Sequence, residues 1–369
     1  SDMDKQADIG ECKKNKRESS NIGIILPHIA SGPGGGFKVI FEYANYLAGK
    51  GDMVTVYFMT YNLYQCWIKW PFLRKIIGKL LYKRYKNWFK LAPEIRTYAL
   101  FDKEDLKYHE ILIATGVKTA LLTNELCLAG IKLAYFVQGF ETWEVDEKTV
   151  FETYQFPMKK IVVSKWLENK VKECCTDKVE YIPNTIDLSI FRMRVPVKER
   201  KAHTIIFHYR TMECKGSKYA IELIRKLEKL YTDLEVKVIG VSKYPKELPD
   251  SCKYYRSISP KKVALLNNTS RIFICTSLDE GFGLPGLEAM ACGCAVVTTD
   301  FAGGREYAID GYNALISKPK DVTAMIENVI RLFKNEDLLN QISSNGIITS
   351  KKFEFSKSAE SFRRIIKSL

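Results

Sequence analysis

The sequence predicts an α/β protein with two doubly wound parallel sheets, and three observations support this fold class. The chain has 369 residues, a length that suggests two domains with sizeable cores. Short apolar runs alternate with helical patterns, which is typical of parallel sheets. The alternation stops at the polar stretch of residues 193–203 and then restarts. The two halves of the chain are therefore expected to fold in the same way.

The predicted elements follow one another in a regular order. The first half contains the strand runs NIGIIL, MVTVYF, EILIA, KLAYFV, KKIVVS and VEYIP, with a helical pattern at residues 37–48. The second half contains TIIFHY, LEVKVIG, RIFICTS and AVVTT, with helical patterns at residues 217–230 and 260–267. Parallel sheets bind ligands beyond the carboxyl ends of their strands, so two such sheets facing one another would enclose a cleft.

These patterns set the predicted boundaries. Residues 1–20 are expected to be a tag remnant and a polar lead, and residues 21–195 and 196–350 the two domains. Residues 351–369 are expected to form a terminal helix that packs back on the first domain. The first apolar run, Ile22 to Leu26, is too short for a signal or membrane-spanning segment, so we expect a cytoplasmic protein.

The cysteine and histidine content argues against a structural metal site. Ten cysteines occur without a C-x-x-C pair, and only four histidines are present. We expect packing thiols in a reducing compartment.

Much of the net charge of +14 is concentrated between Trp67 and Arg96. Apolar residues recur there at helical spacing, and lysines line another face, a pattern typical of a helix on an anionic membrane. Two alternatives remain: a surface helix that packs on its own domain, and a nucleic-acid site. No recognisable nucleic-acid module accompanies the segment, so we expect no nucleic-acid partner.

The stretch EGFGLPGLEAMACGCAVVTTD places Glu280 and Glu288 around a glycine turn between a buried strand and a short helix. The glycines allow a ligand to approach the backbone closely, and the helix start favours phosphate. Two carboxylates beside a phosphate site are consistent with a ligand that also carries hydroxyls. A sugar nucleotide has both groups.

This stretch and its continuation, CGCAVVTTDFAGGREYAIDGYNALI, resemble the E-x7-E signature of the retaining GT-B glycosyltransferases of family 4, the group 1 type. The resemblance spans nearly the whole chain and is most specific in its carboxyl half. It implies two Rossmann-like domains facing a central cleft. Residues 21–195 would be the acceptor side, and residues 196–350 would bind the nucleotide sugar.

The resemblance also implies roles for individual residues. Glu280 would contact hydroxyls of the donor sugar, and Glu288 would bind the ribose. In YRTMECKG, Arg210 and Lys215 would bind the diphosphate and stabilise its charge as the glycosidic bond breaks, in place of a metal. We expect metal independence and no cofactor. The other expected donor-binding residues are Gly35, Gly36, Ile258, Gly281, Phe282, Gly283, Leu284 and Glu306.

One segment departs from the family pattern. Many members place a histidine after the strand that corresponds to KLAYFV, whereas this chain continues with Gln138, Gly139, Phe140 and Glu141. YFVQGFE resembles a branch associated with rhamnose transfer, which adds dTDP-rhamnose to UDP- and GDP-sugars as candidate donors. Glu141 is expected either to position or deprotonate the acceptor hydroxyl, or to be a structural carboxylate. Asn184 and Asp187, in PNTIDLSIF, lie either in a structural turn or at the ligand.

The resulting expectation is a retaining glycosyltransferase that acts on a glycan or lipid-linked glycan acceptor in surface polysaccharide or glycoconjugate synthesis. It would bind peripherally at the inner face of the membrane. The alternatives are a nucleotide-sugar epimerase on the same fold and a catalytically silent scaffold that binds glycans or lipids. The set of Arg210, Lys215, Glu280 and Glu288 argues against a silent scaffold.

Overall fold

Two parallel sheets dominate the structure, a computed structural model that describes residues 19–28, 34–59, 70, 72–73, 76, 89–100, 103–126 and 130–369. One sheet has seven strands and the other has six. Every pair of neighbouring strands in them runs parallel. The two doubly wound sheets that the sequence predicts are therefore present.

The first sheet has the strand order β3-β2-β1-β4-β5-β6-β7. Strand β1 lies inside this sheet and is buried from Ile22 to Leu26, because both faces of the sheet are covered; its Ile24 pairs with Val56 on one side and with Ile113 on the other. The strands are β1 (Asn21–Leu26), β2 (Met53–Met59), β3 (Arg96–Leu100), β4 (Ile111–Ala114), β5 (Lys132–Val137), β6 (Lys159–Val162) and β7 (Glu180–Tyr181). The helices are α1 (Gly35–Gly49), α2 (Val117–Asn124), α3 (Glu147–Tyr154) and α4 (Lys165–Lys172).

The second sheet has the order β10-β9-β8-β11-β12-β13. Phe273 in its middle pairs with Ile206 and with Val296. The strands are β8 (Thr204–His208), β9 (Glu235–Gly240), β10 (Cys252–Arg256), β11 (Ile272–Cys275), β12 (Ala295–Thr299) and β13 (Ala314–Ser317). The helices are α5 (Ser217–Leu227), α6 (Pro260–Asn268), α7 (Leu284–Ala291), α8 (Val322–Lys334), α9 (Glu336–Ser350) and α10 (Phe355–Lys367).

Three strands are absent from the sequence prediction: β3, β10 and β13. All three lie at an edge of their sheet. An edge strand is covered less completely than a central one, and β10 accordingly alternates between half-buried and exposed residues. Its sequence, CKYYR, lacks the continuous apolar run by which the central strands are recognised.

The last helix, α10, returns to the first sheet and packs on α1. The Phe362 ring stacks on Tyr43 with a centroid distance of 4.2 Å. At the end of the helix, Arg363 Nε and Lys367 Nζ lie 2.9 and 2.6 Å from the buried carboxylate of Asp52. These contacts attach the end of the chain to the half of the molecule in which it begins.

The basic segment between residues 67 and 96 lies mostly outside the described residues. Of its described apolar residues, Trp70, Phe72, Leu73 and Ile76 are between 39% and 71% exposed, whereas Ile95 is 8% exposed. The predicted membrane-binding helix at this segment stays a prediction. Within the described ranges, no helix has the length and apolar character needed to cross a bilayer.

Replacing Phe362 tests how strongly α10 holds the fold. Phe362 is 1% exposed, so Phe362→Ala leaves a cavity in the core and removes the ring that stacks on Tyr43. We expect this change to lower the free energy of unfolding by about 3–5 kcal/mol. Ile348→Ala is the matched control, because Ile348 is 52% exposed and its truncation should change stability by less than about 0.5 kcal/mol. Urea unfolding curves measure both. Equal effects of the two substitutions would contradict this account of the helix.

Candidate active site

A cavity of about 230 Å³ lies where strands of both sheets reach their carboxyl ends. Gln138 follows β5 directly, His208 ends β8, and Cys275 ends β11; all three line the cavity. Gly35 and Gly36, the first residues of α1, and Asn184 also line it from the first half of the molecule. The cleft predicted from parallel-strand topology is therefore present, and both halves contribute to it.

The loop between β11 and α7 closely approaches the other half of the molecule. A Cβ atom on Gly281 would lie 1.9 Å from the carbonyl oxygen of Gln138, so only glycine fits between the two backbones. Gly283 precedes α7 with φ of 86°, and its carbonyl accepts a hydrogen bond of 2.6 Å from the Tyr307 hydroxyl. These constraints place the start of α7 against the cavity. Pro285 carries no N–H there and the Gly286 N–H donates to the Gly283 carbonyl, so few N–H groups of this helix start are left for a ligand.

Arg210 and Lys215 lie on the loop after β8. Gly216 ends this loop with φ of 62°, and a Cβ there would lie 2.0 Å from the Thr276 carbonyl oxygen. The loop is thus held against the end of β11. Arg210 and Lys215 both line the cavity, and Lys215 Nζ lies 3.4 Å from Glu280 Oε2.

Glu280 is held on both of its oxygens. The Ser277 hydroxyl donates a hydrogen bond to Oε1, while Lys215 lies beside Oε2. These two contacts fix the orientation of the carboxylate. Glu280 therefore presents a fixed acceptor to a ligand in the cavity.

Glu288 lies in a second cavity of about 100 Å³ that adjoins the first. Its Oε1 accepts a hydrogen bond of 2.8 Å from Lys38 Nζ, which comes from α1 on the opposite half of the molecule. Burial alone would lower the pKa of Lys38, but Glu288 and Glu42 outweigh it, and the pKa is raised. Burial raises the pKa of Glu42 to about 7. Residues shared by both cavities are Gly35, His208, Arg210, Leu284 and Pro285.

Most of the predicted site residues line these two cavities. They are Gly35, Gly36, Arg210, Lys215, Ile258, Glu280, Gly281, Phe282, Gly283, Leu284 and Glu288. Glu141 and Glu306 line neither cavity.

Glu141 lies at the start of α2. Its Oε2 accepts a hydrogen bond of 2.6 Å from the Val117 amide, the first residue of that helix. Burial raises the pKa of Glu141 to about 7. The geometry resembles that of a helix cap, because the carboxylate bonds one of the unpaired N–H groups of α2.

Glu306 makes a similar contact at α4. Its Oε1 accepts from the Lys165 amide at 2.5 Å, and its Oε2 accepts from the Tyr181 hydroxyl at 2.6 Å. Lys165 is the first residue of α4. Glu306 thus connects the second half of the molecule to a helix start in the first half.

Three cavity residues are missing from the predicted site: Lys38, Gln138 and His208 line one or both cavities. Asn184, for which the sequence left a structural turn or a ligand contact open, also lines the first cavity. Among the described residues, Gln138 Oε1, Asn184 Oδ1 and both ring nitrogens of His208 are buried polar atoms without a hydrogen-bond partner. Burial lowers the pKa of His208 to about 3, so its imidazole is neutral. The position of Lys38 in the first turn after the glycine loop was the available sequence signal.

In the described part of the chain, no group of three or more His, Cys, Asp or Glu side chains is arranged to hold an ion. The two cavities together contain Arg210, Lys215, a helix start and the carboxylates of Glu280 and Glu288. This arrangement suits a ligand with both phosphates and hydroxyls.

Comparison with known proteins identifies the second half of the chain. Residues 191–348 match the family described as glycosyl transferases group 1. An uncharacterized glycosyltransferase of Methanocaldococcus jannaschii is 26% identical over 72% of this chain and 76% of its own length. The α-1,3/1,6-mannosyltransferase ALG2 of Kluyveromyces lactis is 25% identical over 67% of this chain, which spans about half (52%) of that relative.

Solved structures confirm the predicted fold. Sucrose-phosphate synthase from Thermosynechococcus elongatus aligns with a TM-score of 0.74 at 15% identity, covering 94% of this chain and 98% of that one. The Anabaena protein HepE, in complex with UDP and glucose, aligns with a TM-score of 0.72 at 13% identity, covering 95% and 100%. The chain therefore has a GT-B fold and carries a group 1 glycosyltransferase domain.

Substitution of Gly281 tests the contact between the two halves. In Gly281→Ala the new methyl group collides with the Gln138 carbonyl, so we expect a loss of about 1–3 kcal/mol of stability and weaker nucleotide binding. Gly49→Ala is the control, because a Cβ there meets no atom within 4 Å. Calorimetric unfolding with and without nucleoside diphosphate measures both effects. Equal changes in stability and in nucleotide binding for Gly281→Ala and Gly49→Ala would show that Gly281 does not contact the Gln138 carbonyl as described.

The pH dependence of stability tests the burial of Glu141. Its pKa rises from an ordinary value of 4.5 to about 7 in the folded chain, so ionisation costs stability as pH rises from 4.5 to 7. Glu141→Gln removes this cost and keeps an acceptor for the Val117 amide. The free energy of unfolding of the variant should therefore exceed that of the wild type by up to about 3 kcal/mol at pH 7 and above.

The measurement is the difference between the two unfolding free energies at each pH from 4.5 to 8.5. Glu42 titrates in the same range but is present in both proteins, so the difference isolates Glu141. A difference that does not change with pH would show that Glu141 is not buried as described.

Proposed function

We propose that this protein is a retaining family 4 glycosyltransferase, on the basis of its GT-B fold and the group 1 glycosyltransferase match of its second half. It would move a sugar from a nucleotide diphosphate to a glycan or lipid-linked glycan acceptor. The observation that carries the proposal is the cleft between the sheets, in which Arg210, Lys215, Glu280 and the start of α7 line one cavity and Glu288 lines the adjoining one. The proposed setting is surface polysaccharide or glycoconjugate synthesis.

The diphosphate of the donor would bind to Arg210, Lys215 and the N–H groups at the start of α7. Its negative charge grows as the glycosidic bond breaks, and two cations beside a helix dipole stabilise that charge. This is why we propose a reaction without a metal ion or cofactor. Lys215 is placed to act on both the diphosphate and Glu280, from which its Nζ lies 3.4 Å away.

The donor sugar would lie against Glu280 and the backbone of residues 281–284. Because Ser277 and Lys215 hold the carboxylate, it accepts hydrogen bonds from sugar hydroxyls without having to reorient. In the proposed front-face reaction, the bond from the anomeric carbon to the phosphate oxygen breaks. The bond to the acceptor oxygen forms on the same face, and the acceptor proton passes to the departing phosphate.

The nucleoside would occupy the second cavity, with the ribose at Glu288 and the base near Ile258. Nucleotide sugars are supported as a class by the HepE structure, which contains UDP and glucose. UDP- and GDP-sugars and dTDP-rhamnose remain the candidate donors. The two alternative functions, an epimerase and a silent scaffold, are not favoured, because the matched relatives are glycosyltransferases.

The acceptor would bind on the side of residues 21–195, and Glu141 would act on it only if the cap of α2 opened. We also propose cytoplasmic localisation with peripheral membrane binding through the basic segment, which would bring the enzyme to a lipid-linked acceptor. The exposure of Trp70 and Phe72 supports this part. Co-sedimentation with anionic vesicles tests it, and protein that stays in the supernatant contradicts it.

A donor panel tests the proposed function. UDP-, GDP-, ADP- and dTDP-sugars are each added with and without EDTA, and melting temperature and donor hydrolysis are recorded. We expect one donor to stabilise the protein and to be hydrolysed in EDTA. Lys215→Met should lower the hydrolysis rate by about 100-fold, because it removes a charge that stabilises the leaving group.

Lys218→Met is the matched control, because Lys218 is 63% exposed, pairs with Glu213 and does not line the first cavity. It should hydrolyse the donor as the wild type does. Hydrolysis that requires a divalent metal, or equal rates for the two lysine variants, would contradict the proposed mechanism. No response to any donor would contradict the proposed function.

A further inference from the structure

His208 ends strand β8 and lines both cavities of the candidate site. Its two ring nitrogens are buried, yet neither has a hydrogen-bond partner among the described residues. A buried polar atom without a partner costs free energy, and in native proteins such an atom usually meets water or a ligand. Here one side chain carries two of them at a cavity wall.

The imidazole ring of His208 can turn without breaking a hydrogen bond. It packs on the Phe273 ring with a centroid distance of 5.9 Å, and no described group bonds its nitrogens. A half-turn about χ2 exchanges each nitrogen with a ring carbon, and this terminal torsion has a broad energy profile. Burial, and after it the charge of Arg210, lowers the pKa of His208 to about 3. The neutral ring therefore has one N–H donor to offer a ligand.

His208 also lies where the two cavities meet. Of the residues that line both, Gly35, Leu284 and Pro285 have no polar side chain, which leaves Arg210 and His208. In the proposed function the sugar occupies the first cavity and the nucleoside the second. The diphosphate that joins them then has to cross the boundary between the cavities, where these two polar side chains lie.

We propose that His208 is a further ligand of the donor diphosphate, donating its ring N–H to a phosphate oxygen beside Arg210. A hydrogen bond to a charged oxygen is stronger than one between neutral groups. It strengthens further as charge grows on the departing diphosphate, so His208 would also stabilise the transition state. This inference rests on the proposed function, which gives His208 no role.

An apolar side chain at this position separates ligand binding from folding. His208→Leu removes two unpaired polar atoms from a buried site, so the melting temperature of the ligand-free protein should stay the same or rise. The same change removes the N–H donor and should weaken binding of a nucleoside diphosphate by about 10-fold. A histidine with a purely structural role would lower the melting temperature and leave the affinity unchanged.

The experiment compares the nucleoside, the nucleoside monophosphate and the nucleoside diphosphate of whichever base the wild type binds, at neutral pH in EDTA. Calorimetry gives the diphosphate affinity, and competition against the diphosphate gives the other two. In His208→Leu the diphosphate should lose about 10-fold and the nucleoside less than about 2-fold. His208→Asn and His208→Gln place an amide N–H near the positions of Nδ1 and Nε2, so one of them should recover most of the loss. His208→Met is a second apolar variant if His208→Leu folds poorly.

His203→Leu is the matched control, at the opposite end of the same strand. His203 immediately precedes β8, its Nδ1 lies 2.7 Å from Asp233 Oδ1, and it lines neither cavity. Because this histidine has a partner, its replacement should not raise the melting temperature. All three affinities should stay within about 2-fold of the wild type.

The outcomes are distinguishable. A diphosphate affinity in His208→Leu within about 2-fold of the wild type overturns the inference. So does an equal loss for the nucleoside and the diphosphate, or a failure of both amide variants to recover affinity. A wild type that binds no nucleoside diphosphate contradicts the proposed function instead.

Discussion

The candidate site depends on the contact between the Gly281 loop and the backbone of Gln138. No side chain fits between the two, since a Cβ on Gly281 would lie 1.9 Å from the Gln138 carbonyl oxygen. This closeness brings the start of α7 to the start of α1 and lets Lys38 reach Glu288 across the cleft. Without it, the molecule would have two ligand-binding edges of parallel sheets but no shared cavity.

Two carboxylates in the site are each paired with a lysine, and the pairing determines what they can do. Lys215 and Ser277 hold Glu280, while Lys38 holds Glu288. In each pair the lysine takes up part of the hydrogen-bonding capacity of the carboxylate and fixes its orientation.

Central strands and local motifs could be read from the sequence, whereas three of the four edge strands and the long-range contacts could not. The strand at Ile272–Cys275 is a continuous apolar run because both of its faces are covered, but the edge strand Cys252–Arg256 carries lysine, arginine and two tyrosines. Glu280 and Glu288 were recognisable because their spacing is local. Lys38 was not, since its partner lies 250 residues away. Glu141 and Glu306 follow strands and resemble ligand-binding residues, yet in the fold they accept hydrogen bonds from amides at helix starts.

The most direct test of this account is a crystal structure of the protein with an intact, unreactive nucleotide sugar. The account predicts the diphosphate between Arg210, Lys215 and the start of α7, with sugar hydroxyls on Glu280. The ribose should bond Glu288 while Lys38 remains on the same carboxylate. A nucleotide bound outside the cleft, or a diphosphate that contacts neither Arg210 nor Lys215, would contradict it.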